Sequence, residues 1–304
     1  MAGARSGAAP DVGPASEAGL DRWARRRLAH TSEHGVRALG TEFLVFVLKQ
    51  AWAALFGGLM LAVLIAAALW YPDDAALARN DALVLAALAI QAGMLAFRLE
   101  TGREALGILL FHLVGTVMEV FKTSVGSWEY AAGGVLHIGA VPLYTGFMYA
   151  AVGSYLMRVM RLHDLRFTHY PPLLATVVVA AAVYANFYTH HYWYDLRWVL
   201  VAAILVLYAR CVMHARIFRR SLRMPVVLAF VLVALFIWIA ENVGTAAGAW
   251  IYPDQADGWR MVSLAKLGSW FLLMNISVVL VTLVHRPATP EDPGTGRSTA
   301  SSTH

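Results

Sequence analysis

Long apolar blocks, one after another, leave this chain few folds. They cover residues 43–70, 81–97, 103–123, 140–160, 171–189, 196–214, 225–244 and 262–284. A helix of about 20 apolar residues crosses the roughly 30 Å hydrocarbon core of a bilayer. The short alternating segments of a membrane β-barrel are missing. With 59% of 304 residues hydrophobic and 14% charged, the chain is too apolar for a soluble domain or for disorder. The reading is an all-α polytopic membrane protein with about eight transmembrane helices.

Arginines cluster at residues 5–37, 98–103, 158–166, 216–223 and 286–297, whereas the alternate loops hold only Arg79, Arg197 and Arg260. Positive residues stay on the cytoplasmic side, so both termini are expected there, in a bacterial inner membrane. The net charge of +5 thus follows topology, and nucleic acid is not expected as a partner. Cys211 is the single cysteine, which excludes an internal disulfide or a Cys-x-x-Cys centre. Residues 1–40 are expected to lie in the cytoplasm: Met1 to Ala18 as a disordered stretch without a signal-peptide core, Leu20 to His30 as an orientation signal or an amphipathic stretch on the anionic leaflet. Residues 286–304 read as a solvated, unstructured tail.

The membrane region contains a repeat. Glu119 to Tyr130 and Glu241 to Tyr252 both read E-x3-T-x2-G-x-W-x-Y, 122 residues apart. At the same offset Asp73 falls on Asp195, Arg98 on Arg220 and Gly146 on Gly268. Repeat 1 is expected over 41–163 and repeat 2 over 164–285. Four spans in each half give the two halves the same orientation about an axis along the membrane normal.

A carboxylate about two turns inside the hydrocarbon boundary is costly, so Glu119 and Glu241 are candidates for function, facing a bundle interior or a wet cavity. Lys122 and Lys266 lie at similar depth and complete a candidate catalytic set of two acids and two lysines. Thr123 and Thr245 share the glutamate face and are expected to hydrogen-bond the carboxylates, while the motif glycines admit a neighbouring helix. Trp128, Tyr130, Trp250 and Tyr252 fall beyond the helix end, as interfacial anchors or as ligand contacts. His137 and Tyr144 join the candidate binding residues. His112 faces the same way as Glu119, but no metal-ligand spacing occurs, and neither a metal nor a cofactor is assigned. His190, His191 and Asp195 belong to an aromatic outer loop, and Asn186 and Asn275 are candidates for interhelical hydrogen bonds. No nucleotide loop, Walker motif or serine elbow is present.

The segments FVLKQAWAALFGG (46–58), FKTSVGSW (121–128) and HIGAVPLYTGFMYAAVGSY (137–155) resemble the YoaT-like family of bacterial integral membrane proteins, domain of unknown function 817, over residues 40 to 285. The resemblance implies an inner-membrane protein and carries over no catalytic residue. The outer glutamate, G-x-W-x-Y and Val141-Pro142-Leu143 are also similar to motifs of membrane carotenoid cyclases and hydratases. In the cyclases an acidic pair follows Pro-Leu; here Tyr144-Thr145 follows.

The reading of function is an acid-dependent membrane enzyme acting on a lipid or isoprenoid drawn from the bilayer, with Glu119 or Glu241 as general acid. The alternatives are a proton-coupled small-molecule transporter built from the two repeats and a non-catalytic scaffold. Oligomeric state is left open.

Overall fold

The computed structural model describes residues 35–290 together with Gly19, Arg22, Trp23 and Arg26. Apart from those four, the N-terminal expectations lie outside the described residues. The described chain is all-α with a few short strands: α1 (Val36–Ala53), α2 (Leu55–Trp70), α3 (Arg79–Ala96), α4 (Gly102–Ser124), β1 (His137–Ile138), β2 (Val141–Pro142), α5 (Tyr144–Leu162), β3 (Arg166–Thr168), α6 (Leu173–Thr189), α7 (Arg197–Tyr208), β4 (Val212–Arg216), β5 (Ser221–Pro225), α8 (Val226–Ala246) and α9 (Ala265–Thr282). Three of these helices, α4, α8 and α9, are long and apolar enough to cross a membrane, and the pair α1–α2 is a fourth if it counts as one span. Exposed apolar side chains such as Val178, Val206 and Phe236 cover the outward faces, as hydrocarbon contact requires.

Two expected spans are corrected. The block 43–70 is not one helix: α1 and α2 meet at Ala54 with a bend of 64°. Arg158, fully buried on α5, reaches the break and donates to the Trp52 carbonyl at 2.6 Å, and Gly57 and Gly58 follow directly. A side chain entering the backbone ladder beside glycines is a sufficient cause for a sharp kink. The block 196–214 is helical only to Tyr208, about 18 Å at 1.5 Å per residue. Its remainder becomes β4, which pairs antiparallel with β3 on one side and β5 on the other. Ile217 N–H donates to the Arg220 carbonyl at 2.9 Å and closes the β4–β5 turn. The sheet lies at the arginine-rich end. Beyond His285 the chain still touches it, with Phe167 N–H donating to the Ala288 carbonyl at 2.8 Å.

Two helix pairs follow the 122-residue offset of the motif, whereas α3 shifted by it falls on 201–218, across the end of α7 and β4. Shifted by that amount, α4 lands on 224–246 against α8 at 226–246, and α5 on 266–284 against α9 at 265–282. The helix α1 has no such counterpart.

The site hangs on α4 and α5. Thr101 caps α4 in a reciprocal capping box: its hydroxyl accepts from Glu104 N–H at 3.2 Å, and the Glu104 carboxylate accepts from Thr101 N–H at 2.7 Å. Glu104 also accepts from Arg161 of α5 at 2.5 Å. Between the two helices glycines replace side chains: a Cβ on Gly115 would sit 2.4 Å from Tyr149, one on Gly146 2.4 Å from His112, and one on Gly153 2.6 Å from Phe111. Asn275 on α9 accepts from Tyr208 at 3.1 Å and donates to the Thr176 carbonyl at 3.4 Å, making the interhelical contacts expected of it. Asn186 instead serves the outer loop, donating to Asp195 at 3.1 Å and accepting from Leu196 N–H at 3.0 Å.

Gly268, the positional equivalent of Gly146, has open space where a Cβ would go. Gly115→Ala is therefore expected to lower unfolding stability by about 1–3 kcal/mol through overpacking, and Gly268→Ala to leave it unchanged or slightly raised. Thermal unfolding of both variants in the same detergent checks the contrast.

Candidate functional site

Each copy of the motif ends its helix in the same way. Gly126 and Gly248 sit at φ +70° and +63°, the left-handed conformation that glycine adopts without strain. Gly126 N–H donates to the Thr123 carbonyl at 3.1 Å and Ser127 N–H to the Lys122 carbonyl at 2.9 Å; in the second copy Gly248 bonds Thr245 and Ala249 bonds Gly244, both at 3.0 Å. These are Schellman terminations. They reverse the chain, so that Trp and Tyr at positions nine and eleven after the glutamate return to it.

Glu119, 4% exposed, accepts from Trp128 Nε1 at 2.8 Å and Tyr130 Oη at 2.5 Å on Oε2, and from Tyr149 Oη at 2.6 Å on Oε1. Glu241, equally buried, accepts from Tyr252 Oη on Oε1 and from Trp270 Nε1 at 2.7 Å on Oε2. The expected roles shift accordingly. The glycines end helices, and the aromatic residues turn inward as carboxylate donors because a buried carboxylate must be hydrogen-bonded. The threonine hydroxyls bond their own backbone, Thr123 at the Glu119 carbonyl (2.9 Å) and Thr245 at the Asn242 carbonyl (3.2 Å), and do not reach the acids. Trp250 departs from Trp128: its ring packs on Gly244, where a Cβ would meet it at 2.3 Å.

The two copies meet. Glu129 and Ile251, equivalent positions in the motif, exchange backbone hydrogen bonds at 2.9 and 3.0 Å as an antiparallel bridge. The Trp128 and Tyr252 rings are 6.0 Å apart, and those of Tyr149 and Trp270 6.3 Å. Lys266 Nζ lies between the copies, 4.0 Å from the Tyr252 ring centre and 4.9 Å from that of Trp128. Lys122 is not part of this group. Its Nζ is 2.9 Å from His191 Nε2 and 3.5 Å from His190 Nε2, and burial, together with the Lys122 charge, holds both imidazoles below the usual histidine range, as acceptors for the lysine. The four-residue set of two acids and two lysines thus divides into a Glu–Lys266–Glu group and a Lys122–histidine group.

Tyr144 is fully buried, packs edge-on against Tyr130 and donates to the Ala249 carbonyl at 2.7 Å, tying α5 to the second motif. His137 is exposed, one ring nitrogen 2.7 Å from the Gly139 carbonyl. His112 packs tilted against Phe147, ring centres 4.7 Å apart. Among the described residues no group of three or more His, Cys, Asp or Glu side chains has the arrangement of a metal site. Sequence reading missed Tyr149 and Trp270; the signal available was a polar aromatic residue on the first turns of each helix that follows a motif.

A cavity of about 1070 Å³ joins these groups. Glu119, Glu241, Lys122 and Lys266 line one end, Gln50, Tyr155 and His163 the other, and Ala54, Gly57 and Gly58 at the α1–α2 break border it. Tyr155 donates to Gln50 Oε1 at 2.9 Å, Gln50 Nε2 lies 3.2 Å from His163 Nε2, and His163 Nδ1 lies 3.3 Å from the Arg216 carbonyl. That chain fits a neutral imidazole protonated on Nδ1.

The model of a family described as "Protein of unknown function (DUF817)" matches residues 42–278. The chain belongs to that family. It is 42% identical over 205 residues to the uncharacterized protein YoaT of Bacillus subtilis strain 168, a match covering 67% of this chain and 78% of that protein. Two crystal structures of MvINS, a mycobacterial Insig homologue from Mycobacterium vanbaalenii, one of them a cross-linked trimer, are similar at 17% identity and a TM-score of 0.41, over 62% of this chain and 97% of theirs. The protein is a multi-pass membrane protein, and its relative and arginine distribution fit the bacterial cytoplasmic membrane.

Burial, then the Lys49 charge, push the His163 imidazole down to about 4, partly offset by the Arg216 carbonyl. An unfolded histidine takes up its proton near pH 6.5, before the folded one does. Stability is therefore full above about pH 7 and falls as pH drops from 6.5 to 4, by up to about 3 kcal/mol. Unfolding temperatures measured across that range should decline in the wild type and decline less in His163→Gln.

Proposed function

We propose that this protein is a membrane carrier for a small amphiphilic molecule, a lipid or isoprenoid taken from the bilayer, held between two four-helix repeats of parallel orientation with both termini in the cytoplasm. The observation that carries this reading is the cavity of about 1070 Å³, which has the two glutamates at one end, a polar chain at the other and apolar walls between. Three features support the repeat arrangement: the bridge of Glu129 with its own equivalent Ile251, the matching Schellman terminations, and the two helix pairs at a 122-residue offset. In this arrangement α1 and α2 make the first crossing and α6 to α9 repeat α2 to α5. The short α7 suffices because β3 to β5 close the arginine-rich end, with Phe167, Met213 and Met224 lining the cavity. Non-helical backbone is tolerated at depth where protein buries it. A broken helix beside a central site is the pattern of carriers that work by alternating access.

The geometry supports a general-acid enzyme less well. A general acid presents its proton to the substrate, whereas every glutamate oxygen here accepts from an aromatic donor of the protein itself. Tyr149 and Trp270 place those donors on the helices following each motif, so they would move with the halves of a carrier.

Mass spectrometry separates the readings in cells lacking the protein, carrying it, or carrying Glu119→Gln/Glu241→Gln at equal membrane abundance. A carrier changes where a compound accumulates, between cells and medium, without changing the compounds present, and the double variant loses that effect. A lipid consumed with a new product formed would overturn transport in favour of chemistry, and identical profiles in all three strains would leave the scaffold.

A further inference from the structure

The end of the cavity that holds the glutamates also carries three cations, and their hydrogen-bonding capacity is uneven. Lys122 donates to the histidine pair. Arg197 reaches Asp195 at 3.4 Å. Lys266 has aromatic faces for neighbours and, among the described residues, no hydrogen-bond acceptor for its ammonium group. All three line the cavity and lie close enough to one another to interact as like charges. Glu119 and Glu241 oppose Lys266 electrostatically, but their oxygens are taken by aromatic donors: Trp128 N–H and Tyr252 O–H bond the carboxylates while the two ring centres lie 4.9 and 4.0 Å from Lys266 Nζ. An aromatic ring is electron-rich on its face and electron-poor at its edge, so this placing satisfies both charges. It also leaves the Lys266 ammonium, which lines the cavity, without a protein acceptor among the described residues.

We infer that the molecule held in the cavity is an anionic amphiphile whose carboxylate or phosphate group sits among Lys122, Lys266 and Arg197, with its apolar chain along the walls toward Gln50 and Tyr155. This rests on the cavity being the ligand site, and adds the sign and position of the ligand's charge. A phosphate or carboxylate supplies the acceptors that Lys266 lacks and relieves repulsion among the three cations. The apolar stretch between Glu241 and Gln50 is lined by residues such as Ala54, Val233 and Leu273, which suit a hydrocarbon chain and offer nothing to a second charge.

The test is equilibrium binding of radiolabelled dodecyl phosphate to the purified full-length protein in lipid nanodiscs, with unlabelled laurate, dodecanol and inorganic phosphate as competitors. Laurate should compete, dodecanol should compete about tenfold or more weakly, and inorganic phosphate alone should compete poorly. Lys266→Met should weaken dodecyl phosphate binding by about tenfold or more while Lys266→Arg largely retains it, with thermal unfolding confirming that both variants are folded. Equal competition by dodecanol, or unchanged binding by a folded Lys266→Met, would overturn the anionic ligand and leave the cavity as a site for neutral lipids. Equal competition by inorganic phosphate would keep the anion site and overturn the amphiphile. Absence of binding by any dodecyl probe would overturn both readings.

Discussion

A carboxylate buried among apolar helices must be supplied with donors, and this chain meets that demand twice with one short motif. Leaving such a group without partners costs several kcal/mol or more. The helix carrying each glutamate ends at a left-handed glycine seven residues later, and the reversed chain brings a tyrosine, and in the first copy a tryptophan, back to the acid. The following helix adds Tyr149 or Trp270. Termination, turn and aromatic placement are thus consequences of satisfying one buried charge, and they set where α5 and α9 start relative to α4 and α8.

Because the motif occurs twice, its consequences occur side by side. The reversed segments bridge through Glu129 and Ile251, which places the two acids on one cavity with Lys266 between their aromatic donors. The α1–α2 break opens onto the same space. There the Arg158 guanidinium reaches the Trp52 carbonyl and also stacks over the Trp52 ring at 5.5 Å, so one buried side chain both occupies the break and holds it against α5.

Membrane class, the approximate helices and the twice-occurring motif were legible because they depend on apolar length and on residue identity at a fixed offset. The kink at Ala54 was not, because the guanidinium occupying it comes from more than a hundred residues away. Strand β4 lay hidden inside an apolar run whose length suggested a continuing helix. The glutamates were found, yet the roles of their neighbours were misassigned: treating position i+7 as part of the helix put Thr and Gly on the glutamate face and sent Trp and Tyr to the membrane surface. Reading that glycine as a helix stop would have turned the aromatic residues inward. Tyr149 and Trp270 differ in identity and miss the 122-residue register by one position, so self-comparison passes over them. Lys122 and Lys266 sit at similar depth but on different helices relative to their acids, and only packing separates the first, with its histidines, from the second.

Glu119 and Glu241 act as one electrostatic unit through Lys266, which lies between their aromatic donors. A double-mutant cycle on unfolding stability, with Glu119→Gln, Glu241→Gln and the pair in the same nanodisc lipid, probes that coupling. The pair is expected to lose more than the sum of the singles by more than about 0.5 kcal/mol, because each single substitution also relieves repulsion between the acids, and only the double variant removes both carboxylates that oppose Lys266 and leaves it Asp254 alone. Additive losses would mean that the two sites are independent, and would contradict a shared unit.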